Sequence, residues 1–341
     1  MSAHHSDDDL DVCSVGQLSA RSITWLVPNR FALGQLAIID GDPDLGKSLI
    51  MLDLAARLST GRSWPGAPAT EPAATLYLSA EDGEEDTITP RLQALGADLG
   101  RIFVYRCKNP LLQRPLSLPA NIGFLDRALA ETGARLLVID PIVAFLDPSI
   151  LSGSDESIRR ALYPLAQLAR KYQCAIILIR HLNKKAGSRS LYRGGGSIGF
   201  VAACRSAWLV GPEPATAGAK DVLTGAASSP RPMRCVLAQQ KNNNAPRQPS
   251  LAYEIVAHAS GYPTISWLGP CSLKAEDLVA RPAQKIGSPR FRAGQFLKSF
   301  LADGPCSTRA IWDAGIDQGL FELSLPWRLP PAYGSPAWLR R

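Results

Sequence analysis

Residues 36–50 read LAIIDGDPDLGKSLI, an apolar run followed by two glycines spaced as in the pattern G-x-x-x-x-G-K-[ST]. A helix-forming stretch, KSLIMLDLAARL, continues to residue 58. A strand that enters such a loop and a helix that leaves it direct successive backbone N–H groups to one place, which suits a phosphate group. A chance match in a glycine-rich turn is the alternative, and the two flanking elements argue against it. The stretch therefore predicts a nucleotide-binding loop at 41–48.

Every residue of this loop is a candidate contact for the phosphates of ATP. The eight residues are Gly41, Asp42, Pro43, Asp44, Leu45, Gly46, Lys47 and Ser48. Lys47 should reach the β- and γ-phosphates, and the Ser48 hydroxyl should ligate Mg²⁺. Asp44 places an anionic side chain in a loop that wraps polyphosphate. We expect that side chain to point away from the phosphates, while its backbone N–H still donates.

Short apolar runs alternate with helical patterns along the first 180 residues, which predicts an α/β fold with a right-handed, mostly parallel sheet. The strand candidates are LAIID (36–40), ATLYLSA (74–80), RIFVYRC (101–107), RLLVID (135–140) and CAIILIR (174–180). The helix candidates are 47–58, 84–95, 123–131 and 155–172. Because the strands are apolar almost throughout, helices should cover both faces of the sheet.

Four further strand-like segments follow without long helices between them, so we expect them to extend the same sheet antiparallel. They are SAWLVG (206–211), MRCVLAQQ (233–240), LAYEIVA (251–257) and TISWLG (264–269). The predicted organisation is a flexible acidic tail (1–20), an α/β domain (21–270), a linker (271–288) and a partial helix-turn-helix-like segment (289–341).

The composition of the chain favours a globular protein over a membrane protein. The chain has 341 residues, 46% of them hydrophobic and 20% charged, and no apolar run reaches the roughly 18 residues of a membrane span. The N-terminus is acidic, unlike a secretory or transit peptide, so we expect a cytoplasmic protein. Seven cysteines without a C-x-x-C pair favour reduced thiols over disulfides or a zinc site. The net charge of +7 is compatible with a polyanionic partner.

Three further residues follow predicted strands and so should meet the loop at the carboxyl edge of the sheet. Asp140 ends RLLVID and should hold Mg²⁺ through water; a capping aspartate is the alternative. Glu81 in LYLSAED could polarise the attacking water, or it could belong to the acidic start of a helix. His181 in IRHLNKK could sense the γ-phosphate, or it could be a histidine satisfied by backbone groups.

Taken together, WLVPNRFALGQLAIIDGDPDLGKS, YLSAED, LLVIDP, the histidine of IRHLNKK, RGGGSIGFVAACRSAWLV and QQKNNN resemble RecA-like AAA family ATPases related to the plasmid RepA-type hexameric replicative helicases. The resemblance covers roughly residues 23–268. It implies a RecA-like three-layer P-loop NTPase core that uses ATP and Mg²⁺ and forms a homo-oligomeric ring. It also implies that Glu81 activates water and that His181 couples the γ-phosphate to moving loops.

The resemblance assigns two basic residues to a neighbouring subunit's nucleotide. Arg205, in ACRSAWLV, lies where the family has an arginine finger, and Lys241, in QQKNNN, would assist from the same side. The alternative for Arg205 is a structural arginine that flanks a strand.

The segment 182–196 is the candidate for single-stranded DNA contact. It interleaves Lys184, Lys185, Arg189 and Arg193 with Tyr192 and a triple glycine. Such a segment could hold phosphates and stack on bases, or it could be a surface loop with solvated charges.

The favoured function is an ATP-hydrolysing motor on single-stranded DNA in plasmid, phage or mobile-element replication. The alternatives are an ATP-dependent DNA-binding or regulatory switch without unwinding and, less favoured because no acceptor lid is evident, a P-loop kinase.

The C-terminus begins like a winged-helix module and then departs from it. Ser307 and Thr308 predict a helix start, and Ile311 and Trp312 lie in a short apolar helix. Prolines at 326, 330, 331 and 336 exclude a continued helix, so we interpret the segment as a truncated or frame-altered module.

Overall fold

The computed structural model of the chain describes residues 12–106, 116–182, 198–214, 233–278, 289–302 and 304–320. The chain divides into two compact units, Met1–Ala280 and Arg281–Arg341. The larger unit contains the described β-strands and the predicted nucleotide-binding loop at 41–48.

The described residues of the larger unit form two sheets. The strands in chain order are β1 (Trp25–Val27), β2 (Phe31–Ala32), β3 (Leu36–Gly41), β4 (Thr75–Ser79), β5 (Ile102–Val104), β6 (Leu136–Asp140), β7 (Ala175–His181), β8 (Ser206–Pro212), β9 (Arg234–Asn242), β10 (Ser250–Ala257) and β11 (Pro263–Cys271). β1 and β2 form a small hairpin, and the others form one nine-stranded sheet in the order β11-β10-β9-β8-β3-β7-β6-β4-β5.

Helices of the larger unit cover both faces of this sheet, as the apolar strands predict. The α-helices of the described residues in both units are α1 (Lys47–Thr60), α2 (Thr89–Ala94), α3 (Ile122–Thr132), α4 (Asp155–Tyr172), α5 (Gly199–Ala203), α6 (Ala275–Leu278), α7 (Pro289–Phe300) and α8 (Thr308–Asp317). Strand residues alternate between faces, so Ile39 packs in the core with α1 and α2 and Ile38 packs in the core with α3, α4 and α5. The three-layer α/β expectation is confirmed.

The expectation that all four late strands run antiparallel is wrong for the first of them. β8 pairs parallel with β3, from Ala37 opposite Ser206 to Gly41 opposite Val210. The reason is topological: a connection containing α5 returns the chain to the starting edge, as parallel pairing requires. β9, β10 and β11 then continue the sheet antiparallel.

Parallel pairing brings the predicted site segments to one edge. β3 and β7 align Gly41 with His181, and β4 and β6 align Ser79 with Asp140. The carboxyl ends of four neighbouring strands therefore surround the start of α1.

Three helices follow the last strand along the described part of the chain. Within the predicted linker, α6 packs on the sheet through the buried Ala275. In the smaller unit, α7 and α8 contact each other, and the Ser307 hydroxyl accepts from the Ala310 N–H (3.2 Å) at the start of α8. The C-terminal prolines and residues 1–11 lie outside the described residues. Among the helices that are described, none has the length and apolarity needed to cross a bilayer.

Candidate nucleotide-binding site

Both glycines of the loop are dictated by local geometry. A Cβ on Gly41 would lie 2.8 Å from the carbonyl oxygen of Val210, closer than real contacts allow. Gly46 is the N-cap of α1 and has a φ of 77°, in the left-handed region that favours glycine. The backbone can therefore turn tightly from β3 into α1, with the first amides of that helix at the loop.

Lys47 lies inside this loop, with only 4% of the residue exposed. Its ammonium donates to the carbonyl oxygen of Asp42 (2.7 Å). Burial lowers the pKa of Lys47, and the charges of Asp140, Asp42, Asp40 and Glu81 partly offset that effect. A buried ammonium in the first residue of a helix, after a glycine-rich loop, fits a polyphosphate.

Asp44 adopts a φ of 63°, a left-handed conformation that aspartate tolerates better than most residues. Its side chain is exposed. The anionic group thus lies in solvent, where it can adopt rotamers away from a bound phosphate.

Asp140 lies next to Ser48 at the end of β6. Its Oδ2 accepts from the Tyr77 hydroxyl (2.9 Å), and only 5% of the residue is exposed. Burial raises the pKa of the Asp140 carboxyl, while hydrogen bonds from Ser48 and Tyr77 lower it. A hydroxyl and a carboxylate side by side fit Mg²⁺, whose remaining positions are usually filled by water and phosphate oxygens.

Glu81 and His181 meet at the same edge. The His181 Nε2 lies 3.7 Å from the Glu81 Oε2, with side-chain exposures of 36% and 62%. The His181 Nδ1 is buried and has no hydrogen-bond partner among the described residues. The neighbouring Asp82 accepts from Arg91 (3.0 Å), which leaves Glu81 as the more available carboxylate.

Arg205 and Lys241 lie together at the opposite edge of the sheet. The Arg205 N–H donates to the Leu36 carbonyl (2.9 Å) at the beginning of β3, about five residues or roughly 16 Å from Gly41 along the strand. Arg205 is exposed, whereas the Lys241 ammonium donates to the carbonyls of Val201 (2.9 Å) and Cys204 (2.7 Å). Within one chain, neither side chain reaches the nucleotide-binding loop.

The sequence alone does not identify two supports of the loop. The Tyr253 hydroxyl on β10 donates to the Leu45 carbonyl, so a strand of the antiparallel part of the sheet braces the loop. Asp40 and Arg180 form a buried ion pair behind it. A single charge in each of two otherwise apolar strands, LAIID and CAIILIR, is the signal that could have predicted the second support. The predicted DNA-contact segment, 182–196, lies outside the described residues except for Leu182.

Comparison with known proteins agrees with this geometry. The model of the family described as AAA domain matches residues 9–187, which is more than half of the 341-residue chain. The DNA repair protein RadA of Chlamydia pneumoniae is 28% identical over 163 residues, which cover 46% of this chain and 31% of RadA. RadA of Streptococcus pneumoniae is 26% identical over 46% of this chain and 33% of RadA.

The alignment with these curated relatives spans about a third of their length. The match to the family model, residues 9–187, contains the loop at 41–48 together with Glu81, Asp140 and His181, and it ends before Arg205. The chain belongs to the AAA domain family of RecA-like P-loop ATPases.

Proposed function

We propose that the protein is an ATP-hydrolysing motor of the RepA-type helicase kind, which acts on single-stranded DNA in the replication of a plasmid, phage or mobile element. The observation that carries the proposal is the convergence of Lys47, Ser48, Glu81, Asp140 and His181 at one sheet edge. Each of these side chains has a distinct role in the hydrolysis of a triphosphate.

Lys47 and the loop amides would hold the phosphates, while Ser48 and Asp140 would hold Mg²⁺. The metal ion supplies charge neutralisation for the transferred phosphoryl group. Glu81 has an exposed carboxylate beside His181 at the same sheet edge, where it would orient and deprotonate a water molecule. His181 would contact the γ-phosphate through a ring whose orientation is coupled to Glu81.

The position of Arg205 supports an oligomer. An arginine finger must reach a γ-phosphate, and in this chain Arg205 lies about 16 Å along β3 from the loop. It is also exposed, as a residue must be to enter a neighbour's site. Lys241 holds the carbonyls of Val201 and Cys204 just before it, which fixes the chain that carries Arg205. A ring of identical subunits would place these residues at each neighbour's nucleotide.

DNA as the partner is supported by sequence. The RadA relatives are named as DNA repair proteins, and this chain has a net charge of +7. Lys184, Lys185, Arg189 and Arg193 follow directly after His181 and combine positive charge with Tyr192. Phosphates and unstacked bases are the ligands that such a combination suits.

The test is an ATPase assay with and without single-stranded DNA, combined with a mass measurement in ATP and strand displacement on a forked duplex. A motor hydrolyses ATP faster with DNA, assembles, and unwinds the fork only with hydrolysable ATP. Glu81→Gln, which should bind ATP without hydrolysing it, is the control for unwinding. A persistent monomer without DNA stimulation would refute the motor, and nucleotide-dependent DNA affinity without unwinding would indicate a switch.

A further inference from the structure

Asp40 and Arg180 form a closely matched ion pair in the middle of the sheet. The Arg180 Nε donates to Asp40 Oδ1 and Nη2 donates to Asp40 Oδ2, both at 2.8 Å. The two side chains are 0% and 1% exposed. This two-point geometry restrains the guanidinium in both position and orientation.

The pair lies one residue behind the site. Asp40 of β3 is in register with Arg180 of β7, and the next aligned residues are Gly41 and His181. The Leu182 N–H donates to the Gly41 carbonyl (3.2 Å), so this hydrogen bond joins the first residue of the loop to the residue after His181. A shift of Asp40 against Arg180 would therefore change the separation of the loop and the histidine.

The same guanidinium also contacts α5. Its Cζ lies 4.8 Å from the centre of the Phe200 ring. α5 ends two residues before Arg205, and the carbonyls of Val201 in α5 and of Cys204, the residue after α5, accept from Lys241. Arg180 thus touches the element that leads to the opposite edge of the sheet.

Stability is a weak reason for such a pair. Both charges lose their hydration on burial, and apolar residues of similar volume often serve a core as well or better. We propose that Asp40 and Arg180 are positioning residues that hold the nucleotide-binding loop, His181 and α5 in the one arrangement needed for hydrolysis. The proposal rests on the ATPase function proposed above and adds to it a requirement for two residues that need not touch the nucleotide.

The double variant Asp40→Leu/Arg180→Met tests this without leaving a buried charge unpaired. Either single change would bury one charge of this ion pair without the other and could unfold the chain. The matched control is Glu156→Gln/Arg160→Gln, which removes a surface ion pair on α4 whose side chains are 74% and 79% exposed. Thermal unfolding, ADP affinity, kcat and hydrogen exchange of the Leu182 amide in nucleotide-free protein are measured for each variant.

The double variant should remain folded, bind ADP as the wild type does, and lose about tenfold in kcat because the two halves of the site no longer hold their alignment. Exchange at Leu182 should be about tenfold faster, since local opening costs less. The control should match the wild type in every measurement.

Any of three results would overturn the proposal: loss of fold in the double variant, wild-type kcat, or wild-type exchange at Leu182. If the wild type itself hydrolyses no ATP, the proposed function fails, and exchange at Leu182 alone then decides whether the pair positions the loop.

Discussion

Removal of one hydroxyl should show how strongly the antiparallel strands brace the nucleotide-binding loop. Tyr253 is fully buried, and its hydroxyl donates to the Leu45 carbonyl within the loop. Tyr253→Phe keeps the ring in place and removes the hydroxyl, which also forms a hydrogen bond with the Cys235 thiol. Loss of a buried hydrogen bond costs about 1–3 kcal/mol, which corresponds to a fall of roughly 2–12 °C in Tm for a domain of this size.

Nucleotide affinity should change as well, because Leu45 lies between the two glycines. If about 1 kcal/mol of the loss falls on the ordering of the loop, ADP should bind roughly fivefold more weakly. Thermal unfolding and ADP titration measure the two effects. Tyr163→Phe is the matched control, since Tyr163 on α4 is 65% exposed. If Tyr253→Phe melts and binds ADP as the control does, the hydroxyl does not brace the loop.

Two other substitutions separate binding from hydrolysis. Asp140→Asn should abolish hydrolysis yet raise Tm at pH 7, because burial raises the pKa of this carboxyl and its ionised form therefore lowers the stability of the folded chain. The difference in Tm between this variant and the wild type should shrink as the pH falls toward 3.8, where Asp140 is protonated in the unfolded chain as well. A difference in Tm that does not change with pH would show that the charge of Asp140 is not its cause. Arg205→Ala should bind ATP normally and hydrolyse it about a thousandfold more slowly. Activity should partly return on mixing with Lys47→Met subunits, which retain Arg205, and failure of that recovery would argue against action on a neighbour.

The fold and the placement of the candidate site residues at one sheet edge follow from sequence because their signals are local. The apolar run before Gly41 and the helix after Lys47 lie within 23 residues of one another, at 36–58. Glu81, Asp140 and His181 then converge because parallel strands present their carboxyl ends together. Each of these inferences needs only a strand and the residue that follows it.

The supports of the site depend on distant pairings, which sequence does not reveal. Tyr253 is 208 residues from Leu45, and Arg180 is 140 residues from Asp40. The direction of β8 likewise depends on the connection through α5 rather than on the letters SAWLVG. Strand order and register decide these contacts, and both emerge only when the whole sheet is assembled.

The most direct test of the nucleotide site is hydrolysis of Mg²⁺-ATP by the wild type, Lys47→Met and the control Lys171→Met. Lys47 is 4% exposed inside the loop, whereas the Lys171 side chain is 57% exposed and pairs with Asp126 on the surface. We expect phosphate release by the wild type and by Lys171→Met, and none by a folded Lys47→Met. A wild type that neither binds nor hydrolyses ATP, or a Lys47→Met variant that hydrolyses it at the wild-type rate, would contradict the assignment.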